Sequence, residues 1–419
     1  MFGASIEAHL LPGQQRPLSD TDYANALPGA LAAVESDDSD GDGFPNLVEI
    51  QQGTFPGDPE NHPRNVACSG AANPGYQVCK YDYHYAFRKV ALDFCGFSPS
   101  FAQMQMFDGY SDGVKQQTID DTLTACLKSD LWRGKNGQLW ELAHRKIRPI
   151  GSLKSGSEDP GAIGLADYYD DYNLYTWSQI DDHDAREVLT ANYFVTRTGS
   201  NPTVYATAAD IPYSGLGQSF VDTAHRAGNL TSNWTLTYFI MFTALPRTAA
   251  AQAYRGYLDL DIAKQEGLYP VAGEPKDYDQ KGVTATLCTQ CHATLDPLSY
   301  PFRNYNGLTG PTSAFGQYVP NRMETVFSNQ SFLAQIPESG YIFNQPVNNL
   351  LEWAQTASNS DQFARATVLD YWKLLLGGPP TSDQQAEFNQ LWQDFKAADN
   401  YSVDKMLHAL IKTEAYGAP

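Results

Sequence analysis

Cys288-Thr289-Gln290-Cys291-His292 stands about two-thirds of the way along the chain. This C-x-x-C-H spacing sets two thiols on one opening helical turn, with an imidazole directly behind the second. Thiols so placed can add across the two vinyl groups of one porphyrin and form thioethers, and the imidazole then faces the iron. The residues therefore predict a covalently attached haem c, with Cys288 and Cys291 as its tethers and His292 as proximal iron ligand. Two other chemistries use paired thiols. A zinc knuckle needs a second pair of ligands, and the chain has no second C-x-x-C. A redox dithiol follows a strand in a βαβ unit, whereas the pattern around Cys288 is helical.

Working outward, the 419 residues allow two to three domains and a sizeable core. The formal net charge of −20 argues against nucleic acid and anionic lipid as partners. It suits a protein that docks on a basic face of a redox partner, or a subunit of a surface assembly. No apolar run approaches the about 18 residues of a membrane span, so the chain is not expected to cross a bilayer. Tyr238 to Leu245, the longest apolar patch, reads as a buried helix segment. The opening Met1-Phe2-Gly3-Ala4-Ser5 lacks the basic and apolar regions of a signal peptide. Haem c is attached outside the bacterial cytoplasm. The expectation is a periplasmic or extracellular protein in its mature form, with the export signal removed.

Cys68, Cys79, Cys95 and Cys126 are left over, an even number that fits two disulfides in an oxidising compartment. Three pairings are possible. Cys68–Cys79, across a short Gly/Pro-rich loop, and Cys95–Cys126, between two helices, are favoured over buried free thiols.

A second motif lies upstream: Asp38-Ser39-Asp40-Gly41-Asp42-Gly43-Phe44-Pro45-Asn46-Leu47-Val48-Glu49. It matches the twelve-residue calcium loop position by position. Asp38, Asp40 and Asp42 offer carboxylates at positions 1, 3 and 5, and Gly43 permits the turn at position 6. Phe44 offers its carbonyl, Asn46 reaches the ion directly or through water, and Glu49 closes the site with two oxygens. Pro45 has no N–H for the bridge that joins paired loops, so the site resembles the lone loops of thrombospondin type 3 and dockerin repeats. Bound Ca²⁺ is expected to be structural.

Apolar spacing gives the rest of the fold. Residues 1–66, rich in Pro, Gly and Asp, read as an extended, irregular arm carrying the calcium loop. Residues 67–200 read as a helical domain with disulfides. Phe87, Val90, Ala91 and Phe94 mark its first helix, which stops at Gly96, and Pro99 opens the next. Ile119, Leu123 and Leu127 mark a third, Trp140, Leu142, Ala143 and Lys146 a fourth. Residues 150–180 read as a Gly-, Asp- and Tyr-rich loop, with helix resuming at Ala185 to Phe194. Residues 201–345 form the haem c domain. Residues 346–419 form a helical domain: Leu350 to Trp353, then Phe363 to Leu375 stopping at Gly377, then a capping box at Ser382 and Gln385, then Met406 to Ile411. The class is mainly α: a multi-helical, cytochrome c-like haem domain, flanking helical domains and an irregular calcium-binding N-terminal arm.

The order of several segments resembles the planctomycete-type cytochrome c multidomain proteins. Arg88 to Pro99 is similar to their RR-x-x-LDL-x-G-x-x-P opening, and Leu189-Thr190-Ala191-Asn192-Tyr193 to their LLTADY element. Arg226-Ala227-Gly228-Asn229-Leu230-Thr231, Arg247 and Arg255-Gly256 are similar to the stretch before their haem motif, and Asp296-Pro297-Leu298 to their DPLG. Ser299, Arg303 and Asn306 depart from the family pattern, which has glycine and acids there. The resemblance, over about residues 80–416, implies export, haem c and an α-rich fold, and no particular reaction.

The far side of the iron decides function. Met323 or His225 could ligate it and give a six-coordinate electron carrier; a vacancy would give peroxide or oxygen chemistry. Arg226 and Arg255 could pair with haem propionates, because a guanidinium fork matches a carboxylate. The first expectation is one-electron transfer. The others are a haem peroxidase or oxygenase acting on an extracellular substrate, and a calcium-stabilised surface or assembly subunit with accessory haem.

Overall fold

The structure is a computed structural model that describes residues 2–10, 20–41, 44–52, 54–57, 81–147, 169–210, 220–240, 243–309 and 314–418. It is mainly helical, as the apolar spacing implies. At the N-terminal end lie α1 (Phe2–His9), α2 (Asp20–Ala33) and α3 (Asn46–Gln52). Next come α4 (Tyr83–Val90), α5 (Phe101–Asp108), α6 (Asp112–Cys126), α7 (Asp130–Arg133), α8 (Gln138–Ile147), α9 (Tyr169–Ser178) and α10 (Glu187–Thr190). A hairpin, β1 (Phe194–Thr198) and β2 (Val204–Ala208), leads to α11 (Asn233–Thr235), α12 (Arg247–Leu258) and α13 (Thr286–Ser299). Two more hairpins, β3 (Tyr305–Thr309) with β4 (Ala314–Tyr318) and β5 (Gly340–Ile342) with β6 (Gln345–Val347), flank α14 (Arg322–Thr325). The chain closes with α15 (Leu350–Ser358), α16 (Asp361–Leu376), α17 (Gln385–Ala397), α18 (Val403–Leu410) and α19 (Glu414–Gly417).

The amphipathic helices form where their spacing places them. Phe87, Val90, Ala91 and Phe94 are buried along α4 and the wide turn that continues it. Gly96 ends that turn at φ +77°, a backbone angle that costs glycine nothing. The Cys95–Cys126 disulfide forms, with a Cα–Cα distance of 5.1 Å, and ties that turn to the end of α6. Cys68 and Cys79 lie outside the described residues. One apolar core draws on Phe94 and Ile119, on Trp234 and Leu298, and on Trp372 and Leu410, so all three helical segments contribute to it.

Four expectations need correction. The N-terminal arm is not irregular where it is described. Alanine-rich α2 carries Pro28 inside it and buries Ala30, with Val34 just beyond its end. The Pro28-Gly29 pair reads as a breaker, but alanine propensity and an apolar edge outweigh it. The stretch 169–178, expected as loop, is helix α9, and residues 150–168 lie outside the description. From Tyr172 on, α9 is buried nearly all round, with Asn173, Thr176 and Ser178 wholly enclosed, so no apolar period shows. Asn173 Nδ2 donates to the Val195 carbonyl at 3.1 Å and Ser178 Oγ to that of Tyr175 at 2.8 Å, which makes their burial tolerable. The helix expected over Ala185 to Phe194 stops at Thr190, and Phe194 opens β1. Two helix starts are also shifted: α5 opens at Phe101, not at Pro99, behind Ser100, which forms a capping box with Gln103, and the later box is Thr381 with Gln384.

Candidate haem-attachment site

Helix α13 carries the C-x-x-C-H motif and has two unlike halves. From Thr286 to Gln290 it is largely uncovered, and Leu287 is 81% exposed. From Ala293 to Ser299 it is buried, except for half-buried Leu295. Cys288 is exposed, Cys291 is half-buried, and both are free thiols.

Pro297 explains part of the anchoring. Its ring has no N–H, so the Ala293 carbonyl loses its partner within the helix. The Val271 N–H supplies the missing bond at 3.0 Å, pinning a preceding loop to α13. On another side β5 crosses the helix closely. A Cβ on Gly340 would stand 2.2 Å from the Pro297 carbonyl oxygen, so only glycine fits that crossing.

His292 is oriented from behind. Its Nδ1 lies 2.7 Å from Oδ1 of Asp296, one helical turn on, and the Asp296 side chain is buried. A carboxylate only accepts, so Nδ1 carries the proton and Nε2 is left as the donor atom. Arg247, at the start of α12, grips the same carboxylate: Nε to Oδ1 at 2.6 Å and Nη2 to Oδ2 at 2.7 Å. The other edge of the guanidinium takes Asp279 at 2.5 and 3.0 Å. Burial alone would depress Arg247, but the bonds and charges of Asp296 and Asp279 outweigh it and push its pKa up. Tyr300, which follows α13, donates to Glu274 at 2.6 Å; burial first, then that carboxylate, drive its pKa far up.

Two free thiols, an imidazole with Nδ1 fixed and an uncovered half-helix are a donor set that fits a haem c. Cys288 and Cys291 could form the thioethers, and His292 Nε2 could take the iron.

The remaining expected residues fall in different surroundings. Arg255 pairs with Asp261 at 3.2 Å, and the carbonyl of the following Ile262 lies 3.9 Å from Cys291 Sγ. Arg226 is buried elsewhere, donating to the Tyr193 carbonyl at 3.0 Å, with its guanidinium 4.1 Å from the Phe194 ring. It lines a cavity of about 410 Å³ with Leu189, Thr190 and Asn192, so two of the family-like segments meet there. His225 stacks on Tyr318 at 3.7 Å, and its Nδ1 lies 2.8 Å from Asp222. Met323 packs with Leu245, Tyr300, Leu333 and Ile336. Beside it the Arg322 guanidinium is enclosed, donating to Asn306 Oδ1 at 3.1 Å and to the carbonyls of Ala244, Arg303, Ile240 and Thr243. Burial first, and Arg303 second, push Arg322 down to about 9.

In the calcium loop, Gly41 N–H donates to Asp38 Oδ1 at 2.7 Å, and Asn46 opens the outgoing helix α3. The amide of Asn46 clasps the loop, accepting from Ser39 N–H at 3.2 Å and donating to the Val34 carbonyl at 2.6 Å. Its backbone N–H binds the Asp37 carbonyl at 2.7 Å. Glu49 is wholly buried. Among the described residues no three His, Cys, Asp or Glu gather as a metal site, while Asp42 and Gly43 lie outside the description. Asp38, Asp40, Glu49 and the Phe44 carbonyl are still the hard oxygen donors that Ca²⁺ takes.

Asp296, Arg247 and Asp279 were given no role from sequence. The i, i+4 spacing of His292 and Asp296 was the available signal; nothing local points to Arg247 or Asp279, 49 and 32 residues away from their partners in the network. Among the described residues no helix is long and apolar enough to cross a membrane. Compared with known proteins, the chain matches no family model, no curated protein and no solved structure.

Proposed function

We propose that this chain is an exported monohaem c protein, as the resemblance to planctomycete-type cytochrome c proteins implies, and that it passes single electrons. One observation carries the reading: the free thiol of Cys288 lies on the uncovered half of α13, and half-buried Cys291 and His292 stand at its border, with His292 Nδ1 already held by Asp296. A haem c bound there supplies a one-electron ferric/ferrous couple. Cys288 and Cys291 tether it; His292 donates Nε2; Asp296 and Arg247 fix the ring plane. The buried half of α13, held by Val271 and crossed at Gly340, gives the motif a rigid base. Arg255 is a candidate cation for a propionate, and Met323 and His225 are the two distal candidates. The net charge of −20 suits a redox partner that is basic where it docks. We further propose that Ca²⁺ in the 38–49 loop stiffens the junction of α2 and α3.

A haem enzyme is the second reading, favoured by the carboxylate on His292 Nδ1, which makes the imidazole a stronger donor. Material exported from a host that matures cytochromes c tests both. The expected results are a covalent mass increment of one haem and a low-spin spectrum unchanged by carbon monoxide. Ready carbon monoxide binding would favour the enzyme over the carrier. A colourless protein of bare polypeptide mass would sink both readings.

A further inference from the structure

Behind His292 three charges alternate in one row: Asp296, Arg247 and Asp279. We propose that this row sets the reduction potential of the centre that His292 holds, with Asp296 lowering it and Arg247 raising it. This rests on the haem reading above.

The geometry carries the proposal. Asp296 Oδ1 takes both His292 Nδ1 at 2.7 Å and Arg247 Nε at 2.6 Å, and Oδ2 takes Arg247 Nη2 at 2.7 Å. Asp279 closes the far edge of the guanidinium at 2.5 and 3.0 Å. All three side chains are largely or wholly buried, where solvent screens charge weakly. A carboxylate on Nδ1 pushes electron density into the ring and favours the more highly charged ferric iron. The guanidinium on the same carboxylate withdraws part of that density. Formally the row carries one net negative charge, so the balance favours ferric iron. Asp296 and Arg247 are positioning residues, because they act through His292.

A row that only pins α12 to α13 would not shift the potential in opposite directions, and this gives the test. Potentials are measured by spectroelectrochemical titration of the haem-loaded wild type and of Asp296→Asn, Arg247→Gln and Asp279→Asn. Asn at 296 keeps an acceptor for Nδ1 and Arg247 Nε, removes the charge, and replaces the oxygen that accepts from Arg247 Nη2 with an amide NH2. Asp296→Asn is expected to raise the potential by about 59 mV, tenfold in the ferric/ferrous ratio at fixed ambient potential for one electron. Asp279→Asn should raise it less, and Arg247→Gln should lower it. Shifts of one sign in Asp296→Asn and Arg247→Gln, or none beyond twofold in the ratio, would overturn the proposal. If Arg247→Gln does not fold, a fall or no change in Asp296→Asn or Asp279→Asn overturns it instead. A wild type without covalent haem by mass brings down the haem reading and this proposal together. A loaded wild type with same-sign shifts brings down this proposal alone.

Discussion

Asp399 sits in the turn between α17 and α18, where Oδ2 is buried without a protein hydrogen bond. Burial first, then the nearby charge of Asp394, raise its pKa to about 6; Lys405 pulls the other way, and Asp182 adds the smallest push upward. The folded chain therefore binds this proton more tightly than the unfolded chain does. The stabilisation is complete below the unfolded value near 4, and it is lost as pH rises through about 6. Asp399→Asn mimics the protonated form. It should stabilise the protein by about 1 kcal/mol at pH 7 and by nothing at pH 3.5, after allowing for partial solvent screening. Thermal melts of both proteins across that range check it; equal differences at both pH values would refute the assignment. At the same scale, the His292–Asp296 contact was open to a sequence reader, since residues four apart on a helix face each other. The buried guanidinium of Arg322 was not. Its partners are an amide and carbonyls brought in from residues 240 to 244 and 303 to 306, and composition carries no trace of such a cage.

Elements were legible where burial is one-sided. α4, α6, α16 and α18 bury the apolar residues that their spacing names, α15 buries Leu350 and Trp353 but leaves Leu351 exposed, and α16 ends at Gly377 as expected. α9 was not legible, because a helix enclosed nearly all round, with polar side chains among the buried ones, shows no period. α2 was hidden by Pro28, and the three hairpins are too short to leave a two-residue alternation. The α2–loop–α3 unit allows a test of the calcium proposal. Glu49 is position 12 of the loop and lies inside α3, so a cation there would join the outgoing helix to Asp38 and Asp40. Ca²⁺ at about ten times its dissociation constant should stabilise the wild type by about 1.4 kcal/mol. Glu49→Gln should abolish that gain, and NaCl at matched ionic strength should shift both proteins alike. Melting with Ca²⁺, with chelator and with salt separates these outcomes. An equal calcium response in Glu49→Gln would remove the loop from the account.

For the whole molecule, the question is whether the segment bearing α13 can fold without the C-terminal helices. Trp353, Trp372, Phe388 and Leu410 are fully buried in the same core as Leu298 and Phe302. Polar ties cross the same boundary: Tyr81 donates to the Ile411 carbonyl at 2.7 Å, and Asp82 N–H to that of Gly417 at 3.0 Å. Lys146 meets Asp370 at 2.5 Å, an ion pair whose loss of one partner would cost about 3 kcal/mol. Ala185 N–H donates to the Tyr401 carbonyl at 3.0 Å, while Arg186 stacks 4.2 Å over the Tyr401 ring. Removing residues 346–419 would uncover the apolar faces of α4, α10 and α12 and orphan those groups. A single domain holds a margin of only about 5–15 kcal/mol, too little to keep such faces folded while exposed to water. The expectation is that a chain ending at residue 345 shows no cooperative melt and binds hydrophobic dye. The described body of the intact protein should instead unfold in one step, with calorimetric and van't Hoff enthalpies equal. A truncated protein that melts sharply, or an intact one that melts in two separated steps, would mean that the shared core does not couple its parts. The thiols of Cys288 and Cys291 would then sit on an independently folding unit, and the C-terminal helices would be an attachment to it.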